Sequence, residues 1–221
     1  MPKPSTNVPI MMQINPHSPV SEAYRSLRFN IECSALGQEV KTITVTSASR
    51  GEGKTTTAVN LAVAYAQIGK KVLLLDADLR NPSIHSVFNK ENTVGLTTYL
   101  GSETSMEESI QESFIENLWI MTSGAGRQNP SELLASKRMA ALLTDFKAGY
   151  DLVIVDTPSV LTLTDAKLLA AQCDGVLLVV EYGKVKRNMA KKVKEELMMA
   201  NAKLIGVVLN EIKDYRADAY L

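Results

Sequence analysis

Several things are scarce in this chain of 221 residues, and each scarcity removes a class of function. Cysteine occurs twice, at Cys33 and Cys173, without a paired C-x-x-C spacing, so the sequence offers neither a disulfide framework nor a thiolate metal site. Two buried thiols in a reducing cytosol are expected instead. Histidine also occurs twice, at His17 and His85, which is too few and too far apart for a metal cage or an acid–base triad. No apolar run reaches the roughly 18 residues that cross a bilayer, and the first residues contain no apolar signal core. The chain is therefore expected in the cytoplasm, with any membrane role coming through a partner. An excess of one charge is missing too. Lys plus Arg and Asp plus Glu both number 24, which gives no bulk electrostatic argument for a nucleic-acid partner.

What the chain does contain is organised around Ser47-Ala48-Ser49-Arg50-Gly51-Glu52-Gly53-Lys54-Thr55-Thr56. The alternating segment before it, Thr42 to Thr46, reads as a strand, and the Ala-rich run from Thr57 to Ala66 reads as a helix. Strand, glycine-rich turn, Gly-Lys-Thr and helix is the context of a P-loop. Gly51 and Gly53 allow the tight turn that aims backbone N–H groups at phosphate oxygens. The helix start adds its own free N–H groups and the positive end of the helix dipole. Lys54 is placed for the β- and γ-phosphates, the Thr55 hydroxyl for Mg²⁺, and Thr56 beside the phosphates. The first glycine of the usual motif is replaced by Ala48.

Two apolar strands deliver carboxylates. Val72-Leu73-Leu74-Leu75 leads into Asp76-Ala77-Asp78-Leu79-Arg80, and Leu152-Val153-Ile154-Val155 leads into Asp156-Thr157-Pro158. Unbroken apolar runs of this length suit strands buried on both faces of a parallel sheet. Carboxylates at their C-terminal ends lie where open α/β sheets bind ligands. Asp156 fits a Walker B role. Further strands are expected at Leu118 to Met121, Gly175 to Val180 and Leu204 to Asn210, with helices between them. The fold expected is a single α/β P-loop domain, a mostly parallel sheet with helices on both faces. Residues 1–17 read as an extended arm, 18–210 as the domain and 211–221 as a polar tail with Tyr215 and Tyr220. In the first helix, Ala23, Leu27 and Ile31 form the expected apolar stripe, while Glu22, Arg25 and Arg28 run along another side. Spacing alone reads those three as a solvated ion-pair ladder. Trp119 is expected in the core. The helix from Lys186 to Met199 is basic on one side, through Lys191, Lys192 and Lys194, and is expected to be solvated.

Together these motifs resemble the bacterial tyrosine kinases (BY-kinases) of exopolysaccharide and capsule systems. The matching elements are the P-loop ending Gly51-Glu52-Gly53-Lys54-Thr55, the Walker A′ segment Leu73 to Arg80 with its Asp-x-Asp-x-Arg ending, and the Walker B element Val153 to Pro158. Glu22-x-x-Arg25-x-x-Arg28 resembles the family's ring-forming helix. The resemblance spans Ser18 to Asn210 and is to the free-standing kinase of Gram-positive bacteria, whose membrane-spanning activator is a separate polypeptide. It implies a protein-tyrosine kinase using ATP and Mg²⁺, with Lys54, Asp76 and Asp78 as catalytic residues. Asp76 would accept or orient the tyrosine proton. Residues Ser49, Arg50, Gly51, Glu52, Gly53, Lys54, Thr55, Thr56 and Asn210 would bind nucleotide, and Thr55, Asp78 and Asp156 would hold the metal. It also implies a closed ring of about eight subunits through Glu22, Arg25 and Arg28, and autophosphorylation of Tyr215 and Tyr220 between subunits. Implied partners are a polysaccharide co-polymerase activator that recruits the kinase to the inner membrane face, protein tyrosine substrates and a cognate phosphotyrosine phosphatase. The alternative is a MinD/ParA-like ATPase switch without kinase activity. Such switches carry a signature lysine near the start of the P-loop, where this chain has Ser49.

Overall fold

The computed structural model describes residues 8–34, 39–126 and 129–212. In chain order the elements are α1 (Met11–Ile14), α2 (Pro19–Ser34), β1 (Thr42–Ser47), α3 (Lys54–Ala66), β2 (Val72–Asp76), α4 (Ile84–Val87), α5 (Leu96–Leu100), α6 (Met106–Ser109), β3 (Gln111–Glu112), β4 (Leu118–Met121), α7 (Pro130–Leu134), α8 (Lys137–Gly149), β5 (Leu152–Asp156), α9 (Thr164–Gln172), β6 (Gly175–Glu181), α10 (Arg187–Met199) and β7 (Leu204–Asn210). The strands form one seven-stranded sheet in the order β3-β4-β2-β5-β1-β6-β7. All neighbours are parallel except the short β3, which pairs antiparallel with β4.

Alternation along the buried strands decides which helices cover which face. Val72, Leu74 and Ile154 point into a core shared with α1, α2 and α3, together with Ile43, Val45, Leu177 and Val179. Leu73, Leu75, Val153 and Val155 point the other way, against α5, α7 and α8. Val176 and Leu178 meet α9 and α10 on that same second side. Both faces are therefore covered, which is why β2 and β5 carry no polar alternation before their terminal Asp, while the threonines that alternate along β1 are themselves buried.

Four sequence expectations need correction. The N-terminal arm, expected to be extended over residues 1–17, is from Val8 onward part of the fold: Met11–Ile14 is a helical turn, and Ile10 and Met12 are buried in the first core. Asn60 of α3 fixes it there, accepting from Met12 N at 3.2 Å and donating to Pro9 O at 2.9 Å. The apolar stripe of α2 is Tyr24, Leu27 and Ile31 rather than Ala23, Leu27 and Ile31, because the helix sits on α3 through Tyr24 and leaves Ala23 exposed. Cys33 is exposed near the end of α2, not buried, whereas Cys173 is half-buried and burial pushes its thiol up to about 11. Trp119 lies at the margin of the second core, edge-on to Tyr150. Ser18 caps α2 by accepting from Ser21 N at 3.1 Å. Among the described residues, no helix is long and apolar enough to cross a membrane.

Candidate active site

The cleft opens at the C-terminal ends of β1, β2 and β5, as the strand order requires. It measures about 470 Å³, and its lining includes Arg50, Gly51, Gly53, Lys54, Thr55, Thr56, Asp78, Asn81, Ser83, Ser159 and Thr162. The loop from Ala48 to Gly53 turns through left-handed backbone at Gly51 (φ 86°) and Gly53 (φ 88°). At Gly53 a second constraint applies. A Cβ there would stand 2.0 Å from Asn210 Nδ2. Asn210, at the end of β7, donates to Glu52 O at 3.0 Å and so braces the loop from the far side of the sheet.

Glu52 acts differently from the other loop residues. It is buried, and its carboxylate accepts from Ala48 N and Ser49 N, each at 3.1 Å. Burial raises its pKa, against the lowering effect of those two bonds. Its side chain is therefore an internal strut of the loop rather than a ligand contact. Ser49 turns its hydroxyl toward Met189 Sδ of α10, at 3.7 Å.

Lys54, Thr55, Asp76, Asp78 and Asp156 converge on one point. Lys54 Nζ lies 3.2 Å from Asp78 Oδ2, with both side chains largely buried. Burial lowers the pKa of Lys54, but the carboxylates of Asp156, Asp78 and Asp76 outweigh it and hold the ammonium above its usual value. Thr55 Oγ1 donates to Asp156 Oδ2 at 2.7 Å. Asp76 Oδ2 accepts from Ser83 N and Ile84 N, each at 3.0 Å, at the start of α4. The other oxygen, Oδ1, is buried without a hydrogen-bond partner on both Asp76 and Asp156. Burial pushes Asp76 up to about 8, with the Asp156 charge adding to it. Asp156 is raised to about 6 by burial, offset in part by Lys54 and the Thr55 bond.

These donors suit a hard divalent cation. A hydroxyl from Thr55 and carboxylates from Asp78 and Asp156 are oxygen ligands of the kind Mg²⁺ takes, and the bare Oδ1 of Asp156 leaves capacity to spare. Among the described residues no group of three or more His, Cys, Asp or Glu side chains forms a metal cage by itself. That is consistent with a metal that brings phosphate and water oxygens with it.

The remaining candidate residues lie elsewhere. Glu22, Arg25 and Arg28 are on α2, away from the cleft. Arg25 pairs with Glu22 at 3.0 Å and donates to Pro16 O at 2.7 Å, and Arg28 donates to Ala64 O at 2.8 Å. Spacing alone reads the three as a solvated ladder, but both arginines are tied into the fold. Tyr215 and Tyr220 lie outside the described residues. Sequence reasoning missed Asp165 and Ser131, which hold Arg80 beside the cleft. Their only local signal is an acidic residue in a helix first turn, and the partner is 85 positions away.

A family model described as an AAA domain matches residues 40–207. Tyrosine-protein kinase YwqD of Bacillus subtilis is 47% identical over 201 residues, covering 91% of this chain and 85% of that one. The kinase domain of the Escherichia coli tyrosine kinase ETK matches with a TM-score of 0.91 at 32% identity, covering 100% of this chain and 86% of that one. The cell division ATPase MinD of Pyrococcus furiosus matches less closely, with a TM-score of 0.68 at 26% identity over 78% of this chain and 73% of that one. A nucleotide cleft with this carboxylate set and this similarity along nearly the whole chain place the protein in the bacterial tyrosine kinase family.

Proposed function

We propose that the cleft transfers the γ-phosphoryl group of ATP to tyrosine hydroxyls, first those of the protein's own tail at Tyr215 and Tyr220 on a neighbouring subunit, and that this regulates exopolysaccharide or capsule synthesis. The observation that carries the reading is the pairing of Lys54 with Asp78 beside the pairing of Thr55 with Asp156. Two carboxylates, one ammonium and one hydroxyl are thereby held in one small volume. When ATP arrives, Lys54 exchanges the Asp78 carboxylate for the β- and γ-phosphates, which releases Asp78. Bound Mg²⁺, held by Thr55, Asp78 and Asp156, supplies charge neutralisation for the phosphate oxygens. Loop N–H groups after Glu52 and those opening α3 face the phosphates. Asn210, which braces the loop at Glu52 O, is proposed to contact the base of the nucleotide as well.

Asp76 serves the acceptor tyrosine. Its Oδ2 is immobilised by the Ser83 and Ile84 amides, which leaves Oδ1 as the oxygen that accepts or orients the phenol proton. The switch reading has the fold in its favour, and there the same carboxylate would orient an attacking water, so the two readings differ in the acceptor and not in the use of Asp76.

Activation is proposed to come from a cytoplasmic segment of a membrane-spanning partner, which also recruits the kinase to the inner membrane face. A groove of about 310 Å³ between α2 and β7, lined by Val20, Ala23, Leu27, Val208 and Ile212, runs up to Asn210 and offers an apolar path to the nucleotide pocket. A cognate phosphotyrosine phosphatase would reset the tail. Incubation with labelled ATP and Mg²⁺, followed by phosphotyrosine detection with and without a candidate activator segment, tests this. Weak labelling that rises with the segment is expected. Full activity unchanged by any segment overturns the activation step, and ATP hydrolysis without phosphotyrosine overturns the kinase reading.

A further inference from the structure

Arg80 closes the loop that follows β2, two residues beyond Asp78. Its guanidinium does not point into the cleft lining. Nε donates to Asp165 Oδ2 at 2.8 Å, and Nη2 reaches Asp165 Oδ1 at 3.4 Å and Ser131 Oγ at 3.2 Å. Ser131 in turn donates to Asp165 Oδ1. Asp165 is completely buried, so its charge depends on these partners, with its own backbone amide at the start of α9 adding a smaller share. Burial raises its pKa, but the Arg80 and Ser131 bonds more than offset that and hold it below the usual carboxylate value.

Three elements that are remote in sequence meet here: the β2 loop, α7 and α9. The loop so held is the one that builds half of the site. Asp78 receives Asn81 N on Oδ1 at 3.1 Å while its Oδ2 faces Lys54. The same loop ends in the Ser83 and Ile84 amides that immobilise Asp76. Between Asp78 and those amides, Arg80 ties the loop by a charged side-chain bond to two helices on the second face of the sheet.

We propose that Arg80, Asp165 and Ser131 form a positioning clamp that sets where Asp78 and the Asp76-holding amides stand. They touch neither nucleotide nor acceptor and act through those two carboxylates. The proposal rests on the kinase reading for its rate consequence but not for its structural one. Partners of this outer kind typically change metal affinity or activity by about 10–100-fold when removed.

The test compares wild type with Arg80→Ala, Asp165→Asn, Ser131→Ala and the Arg80→Ala/Asp165→Asn double variant. Three readouts are taken: amide exchange of residues 79–84 in metal-free protein, the Mg²⁺ concentration for half-maximal binding of a fluorescent ATP analogue, and kcat for phosphotyrosine formation. The clamp predicts faster exchange at Ser83 and Ile84, a half-saturating Mg²⁺ concentration raised about ten-fold, and kcat lowered about ten-fold or more with KM for ATP little changed. The double variant should be no worse than Arg80→Ala alone, because the residues act as one unit. If Asp165→Asn fails to fold, Ser131→Ala, which keeps the ion pair, carries the test with a smaller shift in the same direction. Variants that lose thermal stability yet keep wild-type exchange, Mg²⁺ dependence and kcat overturn the proposal. A wild type that makes no phosphotyrosine overturns the kinase reading, and the first two readouts then still decide the clamp.

Discussion

Asp76 and Asp156 face each other in register across the parallel pair β2 and β5, and both are completely buried. Two carboxylates at one level of adjacent strands are an arrangement that folding alone would avoid. Their charges repel, and burial disfavours ionisation of each. The fold tolerates them because Lys54, Thr55 and the α4 amides supply partial compensation.

That relationship predicts a stability signature. The folded-state pKa of Asp76 is raised from 3.8 to about 8. Its contribution to stability is therefore complete below the unfolded value and is lost as pH rises through the folded one. Asp76→Asn keeps an oxygen for the Ser83 and Ile84 amides but removes the charge. The nucleotide-free variant should melt at least about 3 °C higher than wild type at about pH 8.5, and the gain should shrink steadily toward about pH 4. A melting difference that does not change with pH contradicts the burial of an ionised Asp76.

Gly53 is predicted to be irreplaceable on two counts. Left-handed backbone costs an L-residue about 1–2 kcal/mol, and the added methyl collides with Asn210 Nδ2. Gly53→Ala should weaken binding of a fluorescent ATP analogue by at least about ten-fold. Adding Asn210→Ala relieves the collision but leaves the dihedral strain and removes the brace on Glu52 O and the proposed base contact, so the double variant should not regain wild-type affinity. Wild-type affinity in Gly53→Ala would show that the loop is less constrained than its contacts indicate.

Glu22, Arg25 and Arg28 make a prediction about assembly. The Glu22–Arg25 pair is exposed enough to contribute only about 0–1 kcal/mol, and the internal tie of Arg25 runs instead to Pro16 O. Arg28 bonds the Ala64 carbonyl in the last turn of α3, so changing it should also lower the melting temperature slightly. The triple change to Ala should give folded monomers with weak tail phosphorylation, whereas wild type should assemble into a ring, read by light scattering at tens of micromolar with Mg²⁺. A monomeric wild type, or a triple variant that still assembles, confines these residues to the fold of one chain.

Most of the sheet was legible because its strands are buried on both faces and read as unbroken apolar runs, Val72 to Leu75 and Leu152 to Val155 above all. The P-loop was legible because glycine and Lys-Thr chemistry is local. What escaped the sequence was non-local. Gln111–Glu112 is a two-residue polar edge strand that exists only because β4 lies beside it. The packing of Ile10 and Met12 depends on Asn60, some 50 positions away. Glu52 reads as a loop residue facing solvent or ligand, and only the fold of the turn shows its carboxylate pointing inward. Asp165 looks like a helix-start acid until Arg80 is seen beside it. Exposure of Cys33 follows from the face of α2 that meets α3, which Tyr24 rather than Ala23 decides.

The central claim is that Asp76 serves the acceptor while Lys54 serves the nucleotide. Phosphotyrosine formation and binding of a fluorescent ATP analogue, measured side by side on Asp76→Asn and Lys54→Met, separate the two roles. Asp76→Asn should bind the analogue like wild type yet lose phosphotyrosine formation by about 10²–10³-fold, and Lys54→Met should lose phosphotyrosine formation and weaken binding as well. Wild-type phosphotyrosine formation in Asp76→Asn would contradict the account.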